Sequence, residues 1–187
     1  IDGNLDVDGG TIKLDGNYPT GTDNVALGNT ALDSVQGGGS GNTAIGNNAL
    51  TAVTTADENT AVGQNTLRTN VQAKNTAVGA SALCANDNGY DNTAVGRNAL
   101  NKNTGGYANT AVGSCTSDAN TSGDFNTSIG YAALFANTTA DNNVAVGNVA
   151  LTANTTGAGN VAIGSGSLRA NTTGASIVAI GCDALIT

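Results

Sequence analysis

A short repeat runs through most of this 187-residue chain and constrains its fold more than any other feature. Nearly every copy reads Asn, then Thr or Val, then Ala, then an aliphatic residue, then Gly. The spacing between copies is 16 to 18 residues, and the last six intervals are all 17. A near-fixed period of this kind indicates a stack of similar structural units. The copies end at Gly28, Gly46, Gly63, Gly79, Gly96, Gly113, Gly130, Gly147, Gly164 and Gly181.

Aligning the copies gives columns of similar residues. The residue directly before the Gly is aliphatic in every copy (the aliphatic column), and the one before that is Ala in all but one, where Ser128 stands (the alanine column). Leu lies four residues after the Gly, except at Ser117 (the leucine column). Asn opens each copy except the last, where Ile177 stands (the opening asparagines). A second Asn follows the Gly by seven residues (the loop asparagines), at 70, 86, 103, 120, 137, 154 and 171.

The period and the residue types predict an all-β fold. Seventeen residues are too few for a two-helix repeat or a propeller blade, and Gly and Asn columns are poor helix formers. The segments that alternate are short and β-branched, as strands require. We therefore predict a parallel β-solenoid of about ten 17-residue coils over residues 24–187. Each coil should hold a strand, a Gly corner, a second strand carrying Ala-Leu, and an Asn-Thr-Thr-Gly loop; residues 1–23 should form a separate segment of short strands and a linker.

The Gly and Asn columns each suggest a structural role. A Gly at every corner fits a backbone that needs a positive φ or that has no room for a Cβ. The Asn columns fit side-chain amide ladders between stacked coils, although Asn also tolerates left-handed turns.

Strand alternation predicts two faces for each coil. The residues three before and one before the Gly share one face, and the alanine column lies on the other. Large apolar residues are scarce, so we expect the aliphatic column, including Val62, Val78, Val95 and Val112, to be buried in line. The alanine column is then left to pack against another chain, in a dimer or a trimer. Its predicted contact residues are Ala44, Ala61, Ala77, Ala94, Ala111, Ala145, Ala162 and Ala179.

Composition excludes several classes of function. The net charge is −8, whereas phosphate binding needs clustered cations, so nucleic acid is not an expected partner. The sequence contains no run of about 18 apolar residues, the length that a helix needs to cross a bilayer. The chain has no His, the usual general base, and Glu58 is its single Glu. Asp57 and Glu58 are expected to be solvated loop charge rather than the two positioned carboxylates of a glycosidase. We predict no enzyme activity.

No cofactor or metal is predicted either. Residues 6–9 and 87–91 begin like calcium loops but lack the acidic residue at the far end. The cysteines, Cys84, Cys115 and Cys182, lie far apart and are expected to be inert thiols. Asn-x-Ser/Thr triplets arise from the repeat itself, so they are weak evidence for glycosylation.

Aromatic residues are only 3% of the chain, and most of them cluster. Tyr90 and Tyr107 occupy the same column in successive coils, and Phe125 is one column over in the next. Tyr131 and Phe135 follow. Because stacked coils lie about 4.8 Å apart, the two tyrosines should form a ring pair. The five residues are a candidate receptor-contact or sugar-stacking patch; the alternative is that they stabilise irregular loops, including the space beside Ser117.

The repeat Asn-Thr-Ala-Val-Gly-x-x-Ala-Leu followed by Asn-Thr-Thr-Gly resembles the arrays in tail-fibre and appendage proteins of bacteriophages and large algal viruses. Residues 3–14 are similar to stretches that precede such arrays. The repeat is also similar to the Asn-Ser-Val-Ala-Ile-Gly motif in the heads of YadA-like trimeric autotransporter adhesins, although the coil here is longer. That likeness implies a left-handed parallel β-roll and a homotrimer.

Together these features predict a structural and adhesive module, a shaft or head segment of a trimeric viral tail fibre that contacts a host receptor or glycan. Its expected location is the virion or the cell exterior. A bacterial trimeric adhesin head is the close alternative. An ice-binding solenoid is an alternative of another class, because Thr forms a column at 43, 60, 76, 93, 110 and 127.

Overall fold

The computed structural model describes residues 23–35 and 38–186, and the secondary structure there is all β. Each coil contributes one strand of three residues. The predicted segment 1–23 lies outside the described residues except for Asp23. The strands are β1 (Val25–Leu27), β2 (Thr43–Ile45), β3 (Thr60–Val62), β4 (Thr76–Val78), β5 (Thr93–Val95), β6 (Thr110–Val112), β7 (Thr127–Ile129), β8 (Val144–Val146), β9 (Val161–Ile163) and β10 (Val178–Ile180).

The ten strands form a single parallel sheet in chain order. Neighbouring strands pair in exact repeat register, so that Ala94 faces Ala111 and Val95 faces Val112. From β2 onward, each pair of consecutive strands is joined by one turn of the chain around the rod. The predicted parallel β-solenoid with a 17-residue repeat is confirmed.

The alanine column lies inside the rod. Its members in strands β2 to β6 and β8 to β10 are essentially inaccessible to solvent. The prediction that this column faces outward toward another chain is therefore wrong. The residues predicted to contact another chain are instead buried inside their own. They are Ala44, Ala61, Ala77, Ala94, Ala111, Ala145, Ala162 and Ala179.

The aliphatic column faces the other way. Val78, Val95 and Val112 keep 36–37% of their surface exposed, and Val62 is also only partly buried. The expectation that these side chains are buried in line is wrong. The physical reason is the width of the coil: the leucine column and a second small residue before it already fill the space opposite the strand, as Ala99 and Leu100 do in coil five. Close packing then leaves room for only a methyl group from the strand.

The predicted second strand is replaced by a turn. In coil five φ is +134° at Gly96, +58° at Asn98 and +50° at Leu100, so left-handed residues alternate along the segment. This backbone turns sharply and directs the leucine inward, where it is fully buried. A non-Gly residue with positive φ is uncommon, and the residue types of the Ala-Leu segment do not indicate a positive φ.

The Gly column satisfies both conditions that were predicted for it. Gly130 has φ +128°, and a Cβ there would lie 2.5 Å from the carbonyl oxygen of Gly147 in the next coil. The corner backbones are therefore stacked too closely for any side chain.

The opening asparagines form the predicted ladder. Asn109 Oδ1 accepts the backbone N–H of Asn126 at 2.9 Å and its Nδ2 at 3.1 Å. The same backbone link recurs from Asn24 up to Ile177, whose N–H donates to Asn160. Neither Asn column has a positive φ, so the ladder, and not a left-handed turn, explains both.

The loop asparagines form a second ladder beside the first. Asn103 Nδ2 donates to Asn86 Oδ1 at 2.8 Å and to the carbonyl of Gly106 at 2.8 Å. The same carbonyl accepts Asn92 Nδ2 at 2.8 Å, which links the two ladders. No buried side-chain nitrogen or oxygen lacks a partner in the part of the chain that the structure describes. The interior thus contains both apolar side chains and amides, and the amides are hydrogen-bonded as buried polar groups normally are.

Two neighbouring coils depart from this pattern. Ser117 replaces the leucine and Ser128 replaces the facing alanine, and their hydroxyls lie 2.8 Å apart in the interior. The apolar core is divided there into a cluster that ends at Ala111 and one that begins at Ala133. The two substitutions compensate each other, because each hydroxyl is the other's partner.

Candidate binding surface

The outer face of the sheet presents a row of partly exposed aliphatic side chains to solvent. In the internal strands most members of the aliphatic column keep 36–40% of their surface exposed, for example Ile45 and Ile129. The threonine column, three residues before each Gly, lies on the same face and is half-buried. This column holds Val25 in the first coil and Val144, Val161 and Val178 in the last three, so both columns are aliphatic in those coils. A contiguous patch of this kind is characteristic of an interaction surface.

Sequence reasoning missed this face because it placed the bulkier column inside. Because that column faces outward, the change from Thr to Val in the last three coils does not enlarge the apolar interior. It would add buried apolar area only at a surface that another molecule covers.

The aromatic residues form a second exposed feature, in the loop before the strands. The rings of Tyr90 and Tyr107 are stacked, with centroids 4.8 Å apart and planes 7° from parallel, as predicted. Phe125 meets Tyr107 edge-on at 5.0 Å. Tyr90 is 43% exposed and Phe125 52% exposed. We call these three residues the aromatic cluster.

The other two predicted patch residues do not join this cluster. Tyr131 and Phe135 lie in the turn that follows β7, whereas Phe125 precedes that strand. They are exposed and make no ring contact with the cluster within the described residues. The alternative role of filling space beside Ser117 receives no support either, because that serine is buried against Ser128 while the rings are on the surface.

Two carboxylates continue the tyrosine column. Asp124 and Asp141 occupy the same repeat position as Tyr90 and Tyr107 in the next two coils. Asp124 Oδ1 accepts the backbone N–H of Tyr107 at 2.9 Å, and Asp141 Oδ1 accepts that of Asp124 at 2.8 Å. Sequence analysis did not associate them with the aromatic residues, although column alignment alone would have placed them there.

These neighbours perturb the Tyr107 phenol. Partial removal of the ring from water raises its pKa above 10.0, and the negative charges of Asp124 and Asp141 and the nearby Tyr90 raise it further. Both effects act against the charged phenolate.

We expect Tyr107 to ionise at higher pH than an isolated tyrosine, and Asp124→Asn to lower its pKa without restoring it fully. The neutral phenol stabilises the fold at all pH values below 10, and that contribution is lost as pH rises through the folded-state pKa. The measurement is a titration of phenolate absorbance, with Tyr107→Phe subtracted to isolate one ring. An unchanged pKa of Tyr107 in Asp124→Asn would contradict the effect of the Asp124 charge on the phenol.

The remaining sequence candidates have structural surroundings. Asp57 Oδ1 accepts the backbone N–H of Ser40 at 2.8 Å, and Glu58 is exposed. Cys84, Cys115 and Cys182 are all unpaired. No group of three or more His, Cys, Asp or Glu is placed to hold a metal in the described ranges, and residues 6–9 lie outside them.

The Asn-x-Ser/Thr triplets are part of the ladders. Asn120, Asn126, Asn137 and Asn154 are buried, and each Nδ2 donates a hydrogen bond inside the rod. Asn171 Nδ2 donates to Asn154 Oδ1 at 2.9 Å. A glycan on the four buried nitrogens is incompatible with this fold.

Nowhere in the described parts of the chain is there a helix that is both long and apolar enough to cross a membrane. Comparison of the chain with protein-family models gave no match, and searches of curated proteins and of solved structures gave none either. The outer face of the sheet and the aromatic cluster are therefore the two candidate sites of function.

Proposed function

We propose that this chain is a non-enzymatic structural and adhesive module, a segment of a trimeric fibre that contacts a host surface. The observation that carries the proposal is the apolar outer face of the sheet, which runs along all ten strands. Ten coils at about 4.8 Å give a rod of about 48 Å. The resemblance of the repeat to viral tail-fibre arrays favours a virion location, with a bacterial adhesin head as the alternative.

Self-association is proposed to use the aliphatic column and the threonine column. A sheet whose inner side is packed with its own Ala and Leu still leaves a row of Val and Ile in water on its outer side. Burying that row against identical rows would stabilise the assembly by about 25 cal/mol for each Å² of apolar surface removed from water. Three sheets around one axis would satisfy all three rows at once, and a closed ring leaves no unpaired face.

We expect the purified chain to sediment as a trimer, at three times its 18.1 kDa mass. Val95→Lys combined with Val112→Lys should dissociate it, because two cations would be desolvated at the centre of the contact. The matched control is Asn88→Lys with Thr104→Lys, which adds the same charge to loops of the same part of the rod. Analytical ultracentrifugation measures both variants. A folded wild-type monomer would refute the trimer.

Ice binding is the second candidate function, and one observation favours it. Thr43, Thr60, Thr76, Thr93, Thr110 and Thr127 stand in register on the exposed face of the sheet. The Val residues of the last three coils favour self-association instead. Thermal hysteresis of the purified chain distinguishes the two: a clear gap between melting and freezing in a monomer would replace the fibre proposal.

A further inference from the structure

The aromatic cluster is not required by the fold. The interior consists of Ala, Leu and Asn, and the repeat position of Tyr90 and Tyr107 holds Ser40, Asp57 and Ala73 in the three preceding coils. The rings are nevertheless in contact with one another while much of their surface remains in water. Clustered exposed aromatic residues in a chain with 3% aromatics call for a partner.

The charge around the cluster limits what that partner can be. Asp124 and Asp141 follow the tyrosines in the same column, and Asp91, beside Tyr90, is exposed. No cation–π pair involves these rings in the described ranges, and the ion pair between Lys102 and Asp118, at 3.6 Å, lies in the turn that follows a strand. The chain as a whole carries −8. Anionic ligands are therefore disfavoured at this surface.

Aromatic faces and carboxylates share one preference. The ring quadrupole attracts a cation over its face, and a carboxylate attracts the same group by Coulomb interaction. The apolar rings also accept the methyl or methylene groups that surround an organic ammonium.

We propose that the aromatic cluster, with Asp124 beside it, binds an organic ammonium group on the surface to which this module adheres. This inference rests on the proposed adhesive function and adds the chemistry of its ligand. The ammonium group has two sources, a quaternary ammonium head group such as choline or a protonated amino sugar. Three copies in a trimer would convert weak single contacts into avidity.

The test titrates the intact protein with choline chloride and with glucosamine hydrochloride, against glucose, N-acetylglucosamine and sodium chloride of equal ionic strength. The chain has no Trp, so its fluorescence reports tyrosine directly. We expect saturable changes in tyrosine emission and in the amide resonances of Tyr107 and Asp124 with one or both ammonium ligands. The arm that responds identifies the source.

Asp124→Asn keeps an oxygen for the Tyr107 N–H and removes the charge, so it should weaken binding about fivefold. Tyr131→Ala, outside the cluster, should leave binding unchanged. Equal binding of glucose or N-acetylglucosamine, no binding of either ammonium ligand, or full binding by Asp124→Asn would each overturn the proposal. Trimer formation and adsorption to host cells are measured separately. Their persistence in Asp124→Asn without any ammonium response would leave the adhesive function standing and this inference refuted.

Discussion

Gly96→Val is expected to destabilise the rod by about 2–6 kcal/mol per chain, since backbone strain and overpacking each cost about 1–3 kcal/mol. Gly96 has φ +134°, a conformation that a β-branched residue rarely adopts. An added Cβ would also meet the carbonyl oxygen of Gly113 and lie 2.6 Å from its carbonyl carbon. Both obstacles are backbone atoms of the next coil, so no side chain can rotate away. Urea unfolding followed by circular dichroism, at fixed protein concentration, measures the loss.

Gly105→Val is the matched control for this prediction. Gly105 lies in the loop of the same coil, its φ is outside the left-handed region, and an added Cβ would meet nothing within 4 Å. We expect its unfolding midpoint to stay close to that of the wild type. Equal midpoints for the two variants would mean that the Gly column owes its regularity to something other than the close stacking of coils.

The features that could be predicted from the sequence are those that the repeat itself encodes. A Gly at a fixed period has few explanations, and both proposed ones, positive φ and no room for a Cβ, are present at Gly96. The Asn columns have the same property, because in-register amides one coil apart can bond only to each other or to the backbone. The stacking of Tyr90 on Tyr107 followed from the same register.

The orientation of the strands could not be derived in this way. Alternation determines that Ala94 and Val95 point in opposite directions, but not which direction is inward. The larger apolar residue of such a pair is the one buried in a wide core. In a coil this narrow the space inside is set by Leu100, and only the alanine fits beside it. The prediction of a second strand was wrong for a related reason, since the residue types around Leu100 do not indicate its positive φ.

The candidate site was predictable only in part. Tyr131 and Phe135 are close to Phe125 in sequence, but a short strand separates them, and sequence proximity alone placed them in one patch. Asp124 belongs to the tyrosine column although it is not aromatic, so grouping residues by type does not associate it with the cluster.

Asn109→Ala should cost about 2–4 kcal/mol, because it leaves the N–H of Asn126 without a partner in the interior, and an unsatisfied buried donor costs about 1–3 kcal/mol before the lost packing is added. Asn109 Oδ1 holds that N–H at 2.9 Å, and its Nδ2 bonds the Gly123 carbonyl at 2.8 Å. Asn109→Asp tests the donor separately: the acceptor remains, but a buried carboxylate then faces the Gly123 carbonyl, so we expect a loss at least as large at neutral pH. Asn88→Ala, at an exposed loop position, is the control and should change the free energy of unfolding by less than about 0.5 kcal/mol. If Asn109→Ala unfolds at the same urea concentration as Asn88→Ala, the ladders are a consequence of the stacking and not one of its causes.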